Sequence, residues 1–251
     1  MGDGDSLPEA WQWLYFLTEA TQSALGPDGH EKRGVFLPPV AAPRRMFAGA
    51  KAVYHKPLVF GHPAELTEKI ESIVTKEGRT GPLVIVRIGR HMVQSGTLAI
   101  EEEQTIVYRK APQPGGEAAR REVSSVKAEW RREVRVEPTL LFRFSAITFN
   151  AHRIHYDRNY SCNVEGYPGL VVHGPLIALL LLEEARHRNN SRGFSELSFR
   201  SIRPLFDTAP FQLCGRIEGS TVAMWAEAMD GSVALRADAR LSELDVRATG
   251  L

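Results

Sequence analysis

The 251-residue chain has only two cysteines, Cys162 and Cys214, far apart and without a CxxC pair. That excludes a disulfide framework and a cysteine zinc site, and free thiols in a cytoplasmic protein are the simplest reading. It also lacks an excess of charge. Lys plus Arg number 31 against 30 Asp plus Glu, so no global field draws it to nucleic acid or to an anionic membrane. Long hydrophobic runs are missing too. The longest, Leu176 to Leu182, falls well short of the ~20 residues a membrane helix needs. The opening "MGDGDSLPEAWQWLYFL" carries acids where a secretory signal would carry basic residues. A soluble cytoplasmic protein is expected.

What is present is enough apolar material, 43% of residues, to build one large or two small cores. The chain also repeats itself. "HKPLVFGHPAELTEKIES" aligns without a gap on "IRPLFDTAPFQLCGRIEG", placing Pro57 on Pro204, Leu66 on Leu213 and Ile70 on Ile217, and the same offset of 147 puts Phe47 on Phe194.

Each half opens with a helix candidate. The first starts at Ser6, with Pro8 in its first turn and Glu9 at capping-box spacing, and runs through "AWQWLYFLTEA" to Gly26-Pro27. The second starts at Gly174-Pro175 and ends by Asn189-Asn190, roughly 15 residues or ~22 Å. Four strand-like segments rich in branched and aromatic residues follow each helix. They are "RRMFAGAKAVYHKPL", "AELTEKIESIVTKE", "PLVIVRIGRHMV" and "LAIEEEQTIVYRK", then "FSELSFRSIRPL", "APFQLCGRIE", "TVAMWAEAMD" and "SVALRADARLSEL". Because "LIALLLLEEA" is apolar nearly all round in its first turns, it should be wrapped by its sheet. The fold class expected is α+β: a double hotdog, two antiparallel sheets each curled round a central helix. Residues 1–111 form the first unit, 112–137 a Pro/Gly-rich and then charged linker, and 138–251 the second.

The densest polar chemistry lies in "FSAITFNAHRIHYD", Phe144 to Asp157, directly after a run that reads as a buried strand. "GYPGLVVHGPLIALLLL" follows with His173. These stretches, with "IRPLFDTAPF", resemble the 3-methylfumaryl-CoA (mesaconyl-CoA) hydratases, the itaconyl-CoA hydratases and the fungal type 2 hydroxyacyl-thioester dehydratases of the MaoC-like superfamily. "WQWLYFL", "GPDGH", "EKRGVFLPPV" and "PRRMFAGA" extend the likeness into the first half. The resemblance implies a hydro-lyase that adds water reversibly to an α,β-unsaturated acyl-CoA, the substrate being a short, branched, carboxylated acyl group. It implies no cofactor beyond the coenzyme A of the substrate. The superfamily signature has an Asp five residues before a His; here those positions are Asn150 and His155, a departure at the first.

Such chemistry needs a base for water, a proton for the α-carbon and a donor for the charge that develops on the thioester oxygen. His155 suits the proton work because imidazole titrates near neutrality. Asn150 cannot be a base but can hold a water. Asp157 either orients a histidine or forms a turn, and on extended chain it shares a face with His155. His152 is expected behind the reacting groups. Gly174, opening the second helix before Pro175, offers an unpaired N–H to an enolate, or merely permits a tight turn. His173 either orients the pair or caps the helix. Tyr156, Tyr167 and Pro168 are pocket formers, and Arg153, Arg158, Arg200 and Arg203 are candidates for the coenzyme A phosphates.

Three competitors stand beside this reading. "HRIHYD" supplies two histidines and a carboxylate for a metal, though rings at i and i+3 tend to diverge, and no metal is expected. A non-catalytic thioester-binding protein would explain Asn150. An acyl-carrier-protein thioester could replace coenzyme A. The first half, which lacks both the "VVHGPL" helix opening and the polar loop, is expected to bind the substrate's tail. Association as a homodimer is also expected.

Overall fold

The computed structural model describes residues 2–78, 81–110, 122–190 and 192–243. Among the described residues, nine antiparallel strands form one sheet. They are β1 (Arg44–Tyr54), β2 (Ala64–Gly78), β3 (Gly81–Gln94), β4 (Thr97–Arg109), β5 (Trp130–Val134), β6 (Phe194–Ser201), β7 (Phe211–Glu218), β8 (Thr221–Ala228) and β9 (Val233–Leu241). Their spatial order is β2-β3-β4-β1-β6-β9-β8-β7-β5. Read from the centre outward, the first half runs β1-β4-β3-β2 and the second β6-β9-β8-β7, so each half repeats the other's topology. The repeat seen in sequence is in register here. β1 and β6 each hold the matched phenylalanine, Phe47 or Phe194, and β2 opens at Ala64 where β7 opens at Phe211. β1 and β6 pair directly, Gly49 to Val53 against Arg200 to Glu196, fusing the halves.

All eight expected strands form. Along β9 the burial alternates through Ala237, Asp238, Ala239 and Arg240, as a strand with one wet face requires. The second helix, α2 (Gly174–Arg188), matches its expected span, with Pro175 in its first turn and Arg186, His187 and Arg188 against its negative end. It buries Leu176, Ile177, Ala178, Leu181, Leu182 and Ala185 in the main core against β6 to β9.

Three expectations are corrected. The first helix does not form. Only 3₁₀ turns at Trp11–Leu14 and Gln22–Ala24 occur there, with Ala10 left-handed at φ 70°. Glu9, the residue that would close the capping box, instead accepts from the Phe194 amide at 2.9 Å and pairs with Arg186. Gln12 and Trp13 donate to the buried Glu102 at 2.9 and 2.8 Å, and Arg90 bonds its other oxygen at 3.1 Å. Tertiary polar partners thus override the local pattern. Second, the run before the polar loop is a helix, α1 (Pro138–Ile147), not a strand; it starts on Pro138 and buries Leu141, Phe144 and Ser145 as one stripe. Third, the expected linker 112–137 is not all linker. Part of it lies outside the described residues, but Trp130–Val134 is β5, which pairs along β7 and ends the sheet.

The fold is a double hotdog with one helix missing. Around the second unit's helix the core is continuous. The first unit has two small apolar clusters, one around Met92 and Ile100, the other around Ile88 and Tyr108. The unfilled space between the units becomes a cavity.

Candidate active site

The cavity, of about 790 Å³, lies between the two units. Its walls come from β1 and β4 of the first, and from the Asn150–Tyr156 loop, the α2 start, the end of β6 with residues 202–205, and the start of β9 of the second. His30, His152, His155 and His173 all line it.

The loop is built locally. After α1, Phe149 is left-handed at φ 51° and the Asn150 amide bonds back to Ser145 O at 2.8 Å. Asn150 Oδ1 then accepts from the His152 amide at 3.0 Å, an Asx turn that swings the chain into a single 3₁₀ turn at Arg153–His155. That turn buries His155, whose Nδ1 donates to the Val171 carbonyl at 2.7 Å. A carbonyl on Nδ1 fixes the proton there and leaves Nε2 as the acceptor. Burial pushes the imidazole down to about 4, against the pull of the Val171 carbonyl, with His30 adding to the fall. His155 is therefore neutral at neutral pH, with Nε2 the ring's acceptor.

His155 stacks on His173, ring centroids 3.6 Å apart and planes 18° apart. His173 caps α2 by backbone position without a side-chain capping bond. Its Nε2 and Ser145 Oγ lie 2.9 Å apart, an anchor supplied by α1. Burial, and then His155, lowers His173 to about 2, and its Nδ1 is buried without a partner among the described residues. The next residue, Gly174, presents an N–H with no hydrogen bond among the described residues, at the positive end of α2. A Cβ there would come within 3.0 Å of Ser201 Oγ, so glycine keeps this rim open. The neutral imidazole and the free amide open on one cavity.

The first unit contributes what the sequence reading missed. The Gly26–His30 turn lies on the Asn150–Tyr156 loop: Arg153 N donates to Asp28 O at 2.9 Å and Arg153 Nη1 to Pro27 O at 3.0 Å. Gly29, at φ +89°, approaches so closely that a Cβ would stand 1.9 Å from Ala151 O; only glycine fits. The turn brings His30 against His152, centroids 4.0 Å apart, with His30 Nδ1 3.0 Å from Asp28 Oδ2. The only signal was the paired glycines of "GPDGH".

Arg44, Arg45 and Arg109 of β1 and β4 also line the cavity. Arg44 is held by Glu165 at 3.1 Å and donates to Tyr167 Oη at 3.3 Å. Arg45 forms no salt bridge among the described residues; burial lowers it, while Tyr108 and Asp28 pull the other way.

Of the residues expected at the site, His155, Asn150, Gly174, His173, Tyr156, Tyr167 and Arg203 line the cavity. Others do not converge there. Asp157 takes Arg153 on one oxygen and the Tyr160 amide on the other, outside the cavity lining, so it is a turn residue. Its carboxyl is lowered by the Tyr160 amide and by Arg153. Arg153 is spent on Asp157 and Pro27, Arg158 pairs with Asp207, and Arg200 is exposed on β6; none lines the cavity. Arg203 is bonded to Ser232.

The metal trio drawn from "HRIHYD" is not assembled: the His152 and His155 rings meet edge to face at 5.5 Å and Asp157 points to Arg153. A different trio, Asp28, His30 and His152, has its ligand atoms within 4.8 Å of one another. There Asp28 and His30 already satisfy each other, and the guanidiniums of Arg45 and Arg33 bear on the same spot. Two neighbouring cations oppose a metal ion.

Solved structures share this fold. HtdX of Mycobacterium tuberculosis superposes with a TM-score of 0.68 over 95% of this chain and 89% of its own, at 16% identity. A MaoC-like dehydratase does so at 0.65 over 81% and 77%, also at 16%. At such identity the likeness is one of fold, and the class it defines is the MaoC-like hotdog. Sequence goes further. The profile of the hydroxyacyl-thioester dehydratase type 2 family matches residues 10–207. Mesaconyl-C(4)-CoA hydratase of Chloroflexus aurantiacus is 52% identical over 94% of this chain and 84% of its own. The mitochondrial hydroxyacyl-thioester dehydratase type 2 of Schizosaccharomyces pombe is 28% identical over 83% and 77%. The chain belongs to the hydroxyacyl-thioester dehydratase type 2 family, and it is a hydro-lyase of acyl thioesters.

Proposed function

We propose that the protein adds water reversibly to a short, branched enoyl-CoA that carries a second carboxylate, as mesaconyl-C4-CoA does. The observation behind this choice is Arg45, a guanidinium in the cavity wall without a salt-bridge partner among the described residues. A half-buried cation of that kind is stabilised by a carboxylate that arrives with the substrate. His155 Nε2 takes a proton from water as its oxygen attacks the β-carbon, then returns that proton to the α-carbon. The Gly174 amide holds the enolate oxygen meanwhile, a contact of the sort worth ~100- to 1,000-fold in rate.

The remaining assignments follow from this chemistry. The first unit, 1–111, holds the substrate's tail, while the second, 138–251, does the proton transfers. No cofactor is needed beyond the coenzyme A of the substrate, and the enzyme works in the cytoplasm. Ile73 and Val74, exposed on the edge strand β2, favour pairing of two copies; light scattering that returns a monomer would remove the dimer.

The deciding experiment is a panel of enoyl thioesters with and without a second carboxylate, on coenzyme A and on acyl-carrier protein. The expected kcat/KM favours the carboxylated coenzyme A member by at least ~30-fold, and Arg45→Gln erases most of that preference. Equal rates on the unsubstituted member overturn the substrate assignment. His155→Ala lowers kcat by at least ~100-fold with the fold intact; near-normal turnover removes His155 from the reaction.

A further inference from the structure

Water that attacks a double bond has two protons to place. One leaves; the other stays on the new hydroxyl and needs an acceptor while the oxygen is held in line. Asn150 is the weaker acceptor, because its Oδ1 already accepts from the His152 amide at 3.0 Å and keeps one lone pair, with no negative charge behind it. His173 Nε2 is engaged with Ser145. Among the described imidazoles of the cavity, His30 alone has a carboxylate on its ring, Asp28 Oδ2, 3.0 Å from Nδ1. An ionised carboxylate there fixes the proton on Nδ1 and turns Nε2 into an acceptor. No hydrogen bond to His30 Nε2 occurs among the described residues. Asp28 also accepts from the His30 amide at 3.1 Å through its other oxygen, so the turn and the pair are one unit.

We propose that His30, with its tautomer set by Asp28, is a catalytic residue: the second acceptor that holds the reacting water, delivered to the site by the first unit. In hydration the oxygen bonds to the β-carbon while one proton passes to His155 Nε2, and the π electrons move toward the thioester oxygen. The proton on His155 then goes to the α-carbon and the enolate collapses. Water's second proton remains on the hydroxyl, donated to His30 Nε2 throughout. Asp28 is a positioning residue that acts through His30.

Both groups rest in the state this requires. Asp28 is held below the ordinary carboxylate value: burial would raise it, but the His30 bond, its charge and Arg45 outweigh burial. His30 is lowered by burial, Arg45 and Arg33 against the pull of Asp28. The charged and titratable groups facing it are Asp28, Arg45, Arg33, His152 and His155.

The proposal rests on the cavity being a thioester hydratase site, and the test separates the two. The wild type is first assayed on the enoyl-CoA panel. Failure on every member sinks the function, whatever the variants do. Using the fastest substrate, Asp28→Asn keeps an acceptor for the turn but can present N–H to His30 Nδ1, putting the proton on the wrong nitrogen. It and His30→Gln should each lose at least ~100-fold in kcat, with KM within about threefold and the thermal melt unchanged. Adding Asn150→Asp to Asp28→Asn should recover at least ~10-fold by restoring an acceptor from the other side. The proposal is overturned if either single variant keeps kcat within about tenfold of wild type, if the loss falls on KM, or if Asn150→Asp restores nothing. Should Asp28→Asn fail to fold, the His30→Gln result alone decides.

Discussion

The two halves share a topology and differ in what fills it. In the second, α2 lies in the curl of the sheet with Leu181 and Leu182 fully buried. In the first, the same curl receives irregular chain, with Gln12, Trp13 and Arg90 gathered on Glu102. One unit is closed by apolar packing, the other by a buried polar knot that leaves room beside it. Three of the four arginines in the cavity wall, Arg44, Arg45 and Arg109, belong to the open half; three of its four histidines, His152, His155 and His173, belong to the filled half. Packing and chemistry go together because a proton-transfer group must be held rigidly, whereas a substrate needs space.

The contrast can be broken most forcefully at Glu102. Glu102→Ala leaves the Gln12 and Trp13 donors buried without their acceptor and Arg90 with Glu68 alone, and should cost about 3–5 kcal/mol in urea unfolding. A loss below about 1 kcal/mol would mean the knot is not what closes the first half. Leu181→Ala, in the middle of α2, should cost about 3 kcal/mol by cavity formation. If it costs no more than a surface change, the helix is not the second unit's core.

Acid sharpens the comparison next. His152, His155 and His173 of the filled half lie below the ordinary 6.5 in the folded state, chiefly through burial, His155 at about 4 and His173 at about 2. The unfolded chain therefore binds more protons between 6.5 and 4. The stabilisation is complete above 6.5 and is lost as pH falls, at a slope of ~1.4 kcal/mol per pH unit for each proton of difference between the two states. Urea midpoints at pH 7 and pH 4.5 measure it; a flat profile would place the rings in water. The smallest effect is expected from Arg200→Ala. Exposed and away from the cavity, Arg200 should change stability by no more than ~0.5 kcal/mol and leave KM nearly unaltered. A large rise in KM would return the phosphate site to the second half.

Strands were legible because they are rich in branched and aromatic residues and punctuated by Gly and Pro, and α2 because Gly174-Pro175 opens a long apolar run. The α1 helix was misread: "LLFRF" is too brief for its period to separate helix from strand. The opposite error at Ser6–Glu9 came from a local capping pattern whose glutamate is bound by the other half. His155, Asn150 and Gly174 could be found because they lie in one motif. Asp28 and His30 could not, since what gives them meaning is contact with a loop more than a hundred residues away, and sequence spacing carries no record of that. Asp157 shows the converse: its place in the motif suggested chemistry, but its neighbours made it a turn.

The strand-to-strand seam between β1 and β6 has an evolutionary corollary. Two separate identical subunits joined at such a seam would be obliged to carry the same pocket twice, because every substitution appears in both. Tethering the copies on one polypeptide lifts that obligation. One lobe could shed its helix and become a receptacle while its sibling kept the machinery, and neither change is copied into the other.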